Sequence, residues 1–314
     1  MEVRQWLTDQ RGHRHGYVLE HGAAEDPQLA VEDAMGVVVG VDGRPDCENA
    51  IRWGAIEAAA RGAELQLVHA FVWAEFRVPL GPSDVAPGLR ANADRIVAEA
   101  VQVAREFKPG LSVTGRRVDG FPSAVLLAES KSADLVVIGS RFVGRVLGLV
   151  VSSAGIELSA HAQCPVVSVR PTDDELAGNE VVIGYDGSRP AHAAVDFGLD
   201  YAQRHGLATR IVAVLDEDDD HDLLAGVRAH PLAHDTELVE VTGHPSELLL
   251  EWSADAQLLV VGSRGRGGFT GLLLGSVSQT MLHQSPCPVA VIPQAARSFP
   301  DVRRNDGAGA PSDA

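Results

Sequence analysis

A glycine-rich segment in the last quarter of the chain is the part best suited to chemistry. Residues 262–278 read GSRGRGGFTGLLLGSVS, contain six glycines and directly follow a short apolar run. Glycine lets the backbone approach a ligand and turn its N–H groups inward, and the N-terminus of a following helix adds donors and a favourable dipole. The segment therefore predicts a cradle for an anion such as phosphate.

Three side chains in this segment could complete the cradle. Arg264 and Arg266 carry guanidinium groups that pair with phosphate oxygens, although exposed loop arginines are more often only solvated. Ser276 stands where it could cap the helix or offer its hydroxyl to a phosphate.

Two common phosphate-binding loops are excluded. A P-loop requires a lysine after its last glycine, and the lysines of this chain are Lys108 and Lys131 alone. A dinucleotide fingerprint requires G-x-G-x-x-G after the first strand, where this chain has only Asp-Gly.

Carboxylates occur at two kinds of position. Asp42 and Asp186 each end an apolar run, where they could orient a ribose or a metal-bound phosphate, or simply form an Asp-Gly turn. The acidic run at 216–222 could collect divalent cations, but a solvated loop is expected because consecutive carboxylates rarely converge on one ion. A metal is predicted at most at Asp186, bound together with a phosphate.

The three cysteines carry no predicted chemistry. They form no CxxC pair and no cluster with histidine, which excludes a disulfide scaffold. Cys164 and Cys287 each precede a proline at the start of an apolar strand and lack a basic neighbour, so both are expected to be buried packing residues. His69, inside another apolar run, is expected to be a satisfied core histidine.

The elements that must position these residues occur twice. Three apolar motifs recur in the same order, which indicates a tandem duplication. They are VVVGVDG at 37–43 and VVIGYDG at 181–187, DLVVIGSR at 134–141 and QLLVVGSR at 257–264, and CPVVSV at 164–169 and CPVAVI at 287–292.

The two copies differ in length. Their first strands are 144 residues apart, but their later motifs are 123 residues apart, so the second copy lacks 21 residues in its middle. The first copy has an amphipathic helix candidate at 91–107 in this region, and the second has the acidic run followed by a short apolar stretch at 223–227.

Strands and helices alternate within each copy. Helices are predicted at 123–130 and 246–254, and near-continuously apolar strands are typical of a parallel sheet. The fold class is therefore α/β with two doubly wound, five-stranded parallel sheets, whose ligands bind beyond the carboxyl ends of the strands at the switch point. Predicted strands are 37–41, 65–71, 112–117, 135–138 and 166–169, then 181–185, 209–215, 237–241, 258–261 and 289–292.

Composition narrows the class of protein. The 314 residues include 26 Lys and Arg against 43 Asp and Glu, a net charge of −17 that disfavours nucleic-acid binding without a basic patch. Hydrophobic residues make up 45% of the chain, but no run of 18 apolar residues occurs. We expect a cytoplasmic protein without a membrane segment.

The glycine spacing supports a family resemblance. Gly262-x-x-Gly265 followed after nine residues by Gly275-Ser276, with Asp186 and the duplicated Cys-Pro-Val strands, resembles the universal stress protein family in its tandem-domain form across about residues 36–293. The resemblance implies Rossmann-like domains of the adenine nucleotide alpha hydrolase type, each with a site for an adenine nucleotide, namely ATP with or without Mg²⁺.

The implied site is complete only in the second copy. In the first copy Phe142 and Ser152 replace the second and third motif glycines, so nucleotide is expected to bind weakly there or not at all. The second-copy residues are Gly184, Asp186, Val214, Val261, Gly262, Arg264, Gly265, Gly275, Ser276 and Val277. The weaker first-copy set is Gly40, Asp42, Ala70, Gly139, Ser152 and Ser153.

The function implied is a nucleotide-binding module of a stress response. No general base stands beside a nucleophile, so no catalytic residue is predicted. Two alternatives remain open: a slow ATPase or nucleotidyl-transfer enzyme of the same fold, and a nucleotide-free scaffold with vestigial sites.

The predicted organisation has four parts. An N-terminal extension (1–34) precedes the first domain (35–172), the second domain (178–294) and a disordered tail (295–314). We expect the two domains to form an intramolecular pseudo-dimer, because their apolar terminal strands would otherwise expose sheet edges. The resemblance also makes a homodimer plausible.

Overall fold

Helices and strands alternate along both copies. The computed structural model describes residues 36–45, 47–72, 85–140, 153–171, 178–215, 223–266 and 273–296. The strands are β1 (Val37–Gly40), β2 (Leu65–Phe71), β3 (Val113–Asp119), β4 (Leu135–Gly139), β5 (Val166–Val169), β6 (Glu180–Tyr185), β7 (Ala208–Leu215), β8 (Thr236–Thr242), β9 (Leu258–Gly262) and β10 (Val289–Ile292). The helices are α1 (Cys47–Arg61), α2 (Val85–Phe107), α3 (Pro122–Glu129), α4 (Ser153–His161), α5 (Arg189–His205), α6 (Ala225–Arg228), α7 (Pro245–Trp252) and α8 (Ser276–Gln284). Each predicted strand begins and ends within two residues of an observed one.

The ten strands form one sheet in the order β3-β2-β1-β4-β5-β10-β9-β6-β7-β8. All neighbouring strands within each copy are parallel. In each copy the first strand lies between the second and the fourth, so the strand order reverses there and creates a switch point. The predicted class, two Rossmann-like units with five parallel strands each, is confirmed.

The two five-stranded units meet at β5 and β10. These strands pair in antiparallel orientation, with Val167 opposite Ala290, and every residue of both strands is buried. Neither strand is therefore left as an open sheet edge.

The length difference between the copies lies in one helix. The first copy has α2, of 23 residues, where the second has α6, of four residues. The helix predicted at 91–107 thus begins earlier, at Val85, and the predicted apolar stretch at 223–227 overlaps α6. The acidic run at 216–222 lies outside the described residues. Among the helices of the described ranges, none has the length and apolar character needed to cross a membrane.

A buried ion cluster joins α1 to α5. The Glu57 side chain is 1% exposed and accepts hydrogen bonds from Arg61 Nε at 2.6 Å and Arg204 Nη1 at 2.5 Å. Its other oxygen lies 2.7 Å from His205 Nε2. Burial alone would raise the pKa of this carboxyl, but the His205 contact and the two arginine charges outweigh burial and lower the pKa to about 2. Glu57 is therefore ionised in the folded protein at neutral pH.

Candidate functional site

A cleft of about 600 Å³ opens at the carboxyl ends of β6 and β9, the switch point of the second copy. Ile183 of β6 is in register with Val260 of β9, which brings the residues after both strands together. The cleft is lined by all ten residues predicted for this copy: Gly184, Asp186, Val214, Val261, Gly262, Arg264, Gly265, Gly275, Ser276 and Val277. It is also lined by Tyr185, Ala191, Val212, Pro245, Leu249, Arg266, Leu274 and Ser278.

Part of the cleft wall is apolar. Val212 of β7, Leu249 of α7 and Val261 of β9 are almost fully buried, and Val214 and Pro245 extend the same lining. A mainly apolar lining with a few convergent polar groups is typical of sites for small organic ligands. This wall suits a flat apolar group such as an aromatic base.

Asp186 connects the turn after β6 to the glycine loop. Its Oδ1 accepts a hydrogen bond from the backbone N–H of Ser188, and its Oδ2 accepts one from the backbone N–H of Arg266, both at 3.0 Å. A Cβ atom on Gly265 would lie 2.4 Å from Asp186 Oδ2. A side chain at position 265 would therefore push the Asp186 carboxylate out of its present position, even without a ligand.

The far end of the loop is fixed where α8 begins. The backbone N–H of Gly275 donates to the Ser263 carbonyl at 2.9 Å, and the Ser278 hydroxyl lies 3.0 Å from the carbonyls of both Ser263 and Gly275. The alternative in which Ser276 caps the helix is wrong. Gly275 is the N-cap residue, and Ser276 is the first residue of the helix, where its side chain is past the capping position.

The polar side of the cleft is electropositive. Ser276, Val277 and Ser278 form the first turn of α8, whose N–H groups have no carbonyl acceptor within the helix. The positive end of the helix dipole therefore lies at the cleft, together with the guanidinium-bearing residues Arg264 and Arg266. This arrangement can bind an anionic group.

Tyr185 was missed by the sequence analysis. Its hydroxyl lies 3.2 Å from His192 Nε2, and its ring meets the His192 ring edge-on. Burial and the neighbouring Asp186 charge raise the pKa of the Tyr185 phenol, opposed by Arg266. The phenol is therefore a neutral group of the cleft at physiological pH.

Signals for other missed residues were present in the sequence. Val212 shares a strand face with the predicted Val214, because side chains two residues apart in a strand point the same way. Pro245 and Leu249 lie on the helix that follows β8, and its first turns stand at the same edge of the sheet as the glycine loop. Leu274 gave no comparable signal, because its spacing alone does not place it at the cleft.

The first-copy set is only partly described. Gly40 and Gly139 lie at the ends of the neighbouring strands β1 and β4. Asp42 Oδ1 accepts a hydrogen bond from the backbone N–H of Arg44 at 3.2 Å. Ala70 lies near the end of β2 and is half-buried. Residues 141–152, including Phe142 and Ser152, lie outside the described residues, as does the side chain of Ser153.

Carboxylates are scarce at the cleft. Of the described residues that line it, Asp186 is the one acid, and each of its oxygens already accepts a backbone N–H. Among the described residues there is also no group of three or more His, Cys, Asp or Glu placed to hold a metal ion.

The cysteines and His69 lie away from the cleft lining. All three cysteines are buried, as predicted for Cys164 and Cys287, and burial as the main cause raises the pKa of the Cys287 thiol to about 11. His69 is half-buried, and its Nδ1 lies 2.7 Å from the Val41 carbonyl. His69 is hydrogen-bonded as predicted, but it is not a core residue, because its side chain is only half-buried.

Comparison with known proteins agrees with these features. The model of the universal stress protein family matches residues 35–170 and 218–293. A universal stress protein from Mycobacterium tuberculosis is 32% identical over 293 residues, covering 83% of this chain and 97% of that protein.

Solved structures match as well. A universal stress protein from Archaeoglobus fulgidus covers 83% of this chain and 99% of its own, with a TM-score of 0.68 and 18% identity, and so shares the fold. A second structure from Archaeoglobus fulgidus, a universal stress protein in complex with dAMP, covers 43% of this chain and 97% of its own, at 23% identity and a TM-score of 0.34. From the family match and the curated relative, this chain belongs to the universal stress protein family.

Proposed function

We propose that the protein binds an adenine nucleotide, specifically ATP, in the cleft of its second copy, and acts there as a module of a stress response. The observation that carries the proposal is that the ten residues implied by the family resemblance all line one cleft at the switch point. Ligands of doubly wound sheets bind at this position.

The residues at the cleft fit the parts of a nucleotide. The apolar wall formed by Val212, Val214 and Leu249 suits the base. The glycine loop and the N-terminus of α8 supply N–H donors for phosphate oxygens, and Arg264 and Arg266 supply positive charge. With a net charge of −17 on the chain, binding of an anion depends on these local groups.

Asp186 has a structural task in this proposal. Its two oxygens hold the turn after β6 and the glycine loop together, so the carboxylate shapes the cleft that receives the ribose and phosphates. An Mg²⁺ ion arriving with ATP would use the remaining lone pairs of the same carboxylate.

The proposal is a binding role, and catalysis is not needed to explain the site. Asp186 is already occupied by two N–H groups, and the neighbouring phenol of Tyr185 is held neutral. Neither group is arranged as a base beside a nucleophile.

The first copy is proposed to bind nucleotide weakly or not at all and to act mainly as the partner of the second. The support is the sequence of its loop, in which Phe142 and Ser152 stand at motif glycine positions. We propose that the antiparallel pairing of β5 and β10 makes the two copies an intramolecular counterpart of a dimer. We also propose, from the family resemblance, that two chains associate into a homodimer.

ATP titration with a matched variant tests the binding proposal. Saturation with ATP at one hundred times the dissociation constant is expected to stabilise the wild-type chain by about 2.7 kcal/mol, seen as a higher unfolding temperature. Gly275→Val should lose this shift. A chain that carries no nucleotide and gains no stability from ATP would be a scaffold, and the proposal would be wrong.

A single-turnover hydrolysis assay separates binding from catalysis. The proposal predicts that ATP remains intact on the protein over many minutes. Fast turnover that disappears in Gly275→Val would instead identify an ATPase.

A further inference from the structure

Ser188 links the glycine loop to helix α5. Its hydroxyl oxygen accepts a hydrogen bond from the backbone N–H of Ala191 at 3.3 Å, which makes Ser188 the N-cap of α5. The same hydroxyl donates to the carbonyl of Arg264 at 3.2 Å, across 76 positions of sequence. One side chain thus serves both a helix end and the loop.

The loop is held at two successive points by the turn after β6. The Ser188 hydroxyl fixes the Arg264 carbonyl, and Asp186 Oδ2 fixes the Arg266 N–H. Gly265 lies between these points and passes so close to Asp186 that it has no room for a Cβ atom. The backbone of residues 264–266 therefore has little freedom.

The hydrogen bond that holds the Arg264 carbonyl also sets the orientation of the next N–H donor in the chain. The peptide bond between Arg264 and Gly265 is planar, so the Gly265 N–H points opposite to the Arg264 carbonyl. Because that carbonyl faces Ser188, the direction of the Gly265 N–H is set before a ligand arrives. Donors oriented in advance bind an anion without a cost of reorganisation.

The first copy provides a comparison within the same chain. By the repeat offset of 144, Arg44 occupies the position of Ser188, and Asp42 that of Asp186. The Asp-Gly turn is kept, since the Arg44 N–H donates to Asp42 Oδ1. Arg44 has no hydroxyl, however, and its guanidinium lies 3.7 Å from Asp42 Oδ2. The copy whose glycine motif is altered thus also lacks the serine.

We propose that Ser188 is a positioning residue for nucleotide binding: its hydroxyl sets the peptide plane that presents the Gly265 N–H to the phosphates. The inference rests on the proposed nucleotide function of this cleft. Ser188 acts through the loop backbone, and its effect is separable from its capping of α5.

Three variants separate the two roles of the Ser188 hydroxyl, which are capping α5 and holding the Arg264 carbonyl. Ser188→Gly removes the loop donor but retains most of the capping preference, Ser188→Ala removes both, and Ser188→Thr keeps both. ATP affinity is measured by isothermal titration calorimetry, and the unfolding temperature by differential scanning calorimetry.

The expected results differ between the variants. Ser188→Gly should bind ATP about fivefold more weakly, the effect of one ordinary hydrogen bond, with an unfolding temperature close to wild type. Ser188→Ala should show the same loss of affinity and in addition unfold roughly 2–4 °C lower. Ser188→Thr should restore affinity. Wild-type affinity in Ser188→Gly would overturn the proposal.

Hydrogen exchange of the ligand-free protein gives a second readout. Amides of residues 264–266 should exchange faster in Ser188→Gly than in wild type, and at the wild-type rate in Ser188→Thr. Unchanged exchange in Ser188→Gly would contradict the positioning role. If the wild-type chain binds no ATP, the nucleotide function is wrong, while the exchange rates still decide whether Ser188 holds the loop.

Discussion

At the residue scale, the motif glycines of the second copy serve different purposes. A Cβ atom on Gly262 would lie 2.9 Å from Pro190 Cβ, and one on Gly265 would lie 2.4 Å from Asp186 Oδ2. Gly262 is thus required by the packing of the protein itself, and Gly265 by the present position of the Asp186 carboxylate. A Cβ on Gly275 would find its nearest neighbours at 3.5 Å, an ordinary contact, and Gly275 has φ of −69°. The absence of a side chain at Gly275 therefore benefits a ligand more than the fold.

This difference predicts that Gly275→Val and Gly265→Ala both lose ATP binding but differ in stability. Gly275→Val should still fold, with an unfolding free energy lower by at most about 2 kcal/mol because valine is a poor N-cap residue, and should bind ATP at least about tenfold more weakly. Gly265→Ala should lose binding and stability together, because Asp186 must move away from the Arg266 N–H. Chemical denaturation and ATP titration measure the two quantities. ATP binding by Gly275→Val at wild-type affinity would show that the nucleotide does not approach this glycine.

The buried cysteines make a second prediction at the residue scale. With the pKa of Cys287 raised to about 11 and all three thiols buried, an aromatic disulfide reagent at pH 7.5 should react slowly with the native protein. In denaturant it should react at once with three thiols per chain. Rapid labelling of the folded chain would show an accessible thiolate and would revive a redox role.

At the scale of elements, helices α1 and α5 are equivalent in the repeat yet carry different groups where they meet. By the offset of 144, Glu57 of α1 corresponds to Tyr201 of α5. The carboxylate of one helix thus meets Arg204 and His205 of the other, and Trp53 stacks on Tyr201 with ring centres 5.9 Å apart. The contact therefore joins unlike groups, a carboxylate and an indole of α1 with an arginine, a histidine and a tyrosine of α5.

Acid unfolding measures the contribution of Glu57. The pKa of this carboxyl is about 2 in the folded protein and near the ordinary value of 4.5 when the chain is unfolded. Its stabilising contribution is therefore present above pH 4.5 and is lost as the pH falls towards 2. In Glu57→Gln this part of the stability–pH curve should flatten, and stability at pH 7 should fall by roughly 3–5 kcal/mol.

Glu48 of the same helix is the matched control. It pairs with Arg52 one turn along α1, and both side chains are more than a third exposed. Glu48→Gln should change stability by at most about 0.5 kcal/mol. Equal effects of the two substitutions would mean that the buried cluster is no more important than a surface ion pair.

Sequence patterns predicted the helices and strands well, but they did not predict the side-chain contacts between distant elements. Apolar runs located the strands, and the positions of Asp186 and the glycine loop directly after two of them indicated one cleft, because parallel strands end at a common edge. The tasks of Asp186 and Ser188 depend on contacts with a loop more than 70 residues away in sequence. Such contacts leave no periodic signal, and the same is true of the pairing between Glu57 and α5.

At the scale of the whole molecule, one ten-stranded sheet contains two copies with unequal switch points. The second has the full set of glycines, the Ser188 link and a cleft of about 600 Å³. The first has Phe142, Ser152 and Arg44 at the corresponding positions. This asymmetry is the basis for assigning binding to the second copy and a partner role to the first.

The stoichiometry of ATP binding tests that assignment most directly. A calorimetric titration of the nucleotide-free full chain is predicted to give one tight site per chain, and Gly275→Val is predicted to remove it. Two equivalent tight sites per chain, or one site that persists in Gly275→Val, would contradict the assignment of nucleotide binding to the second copy.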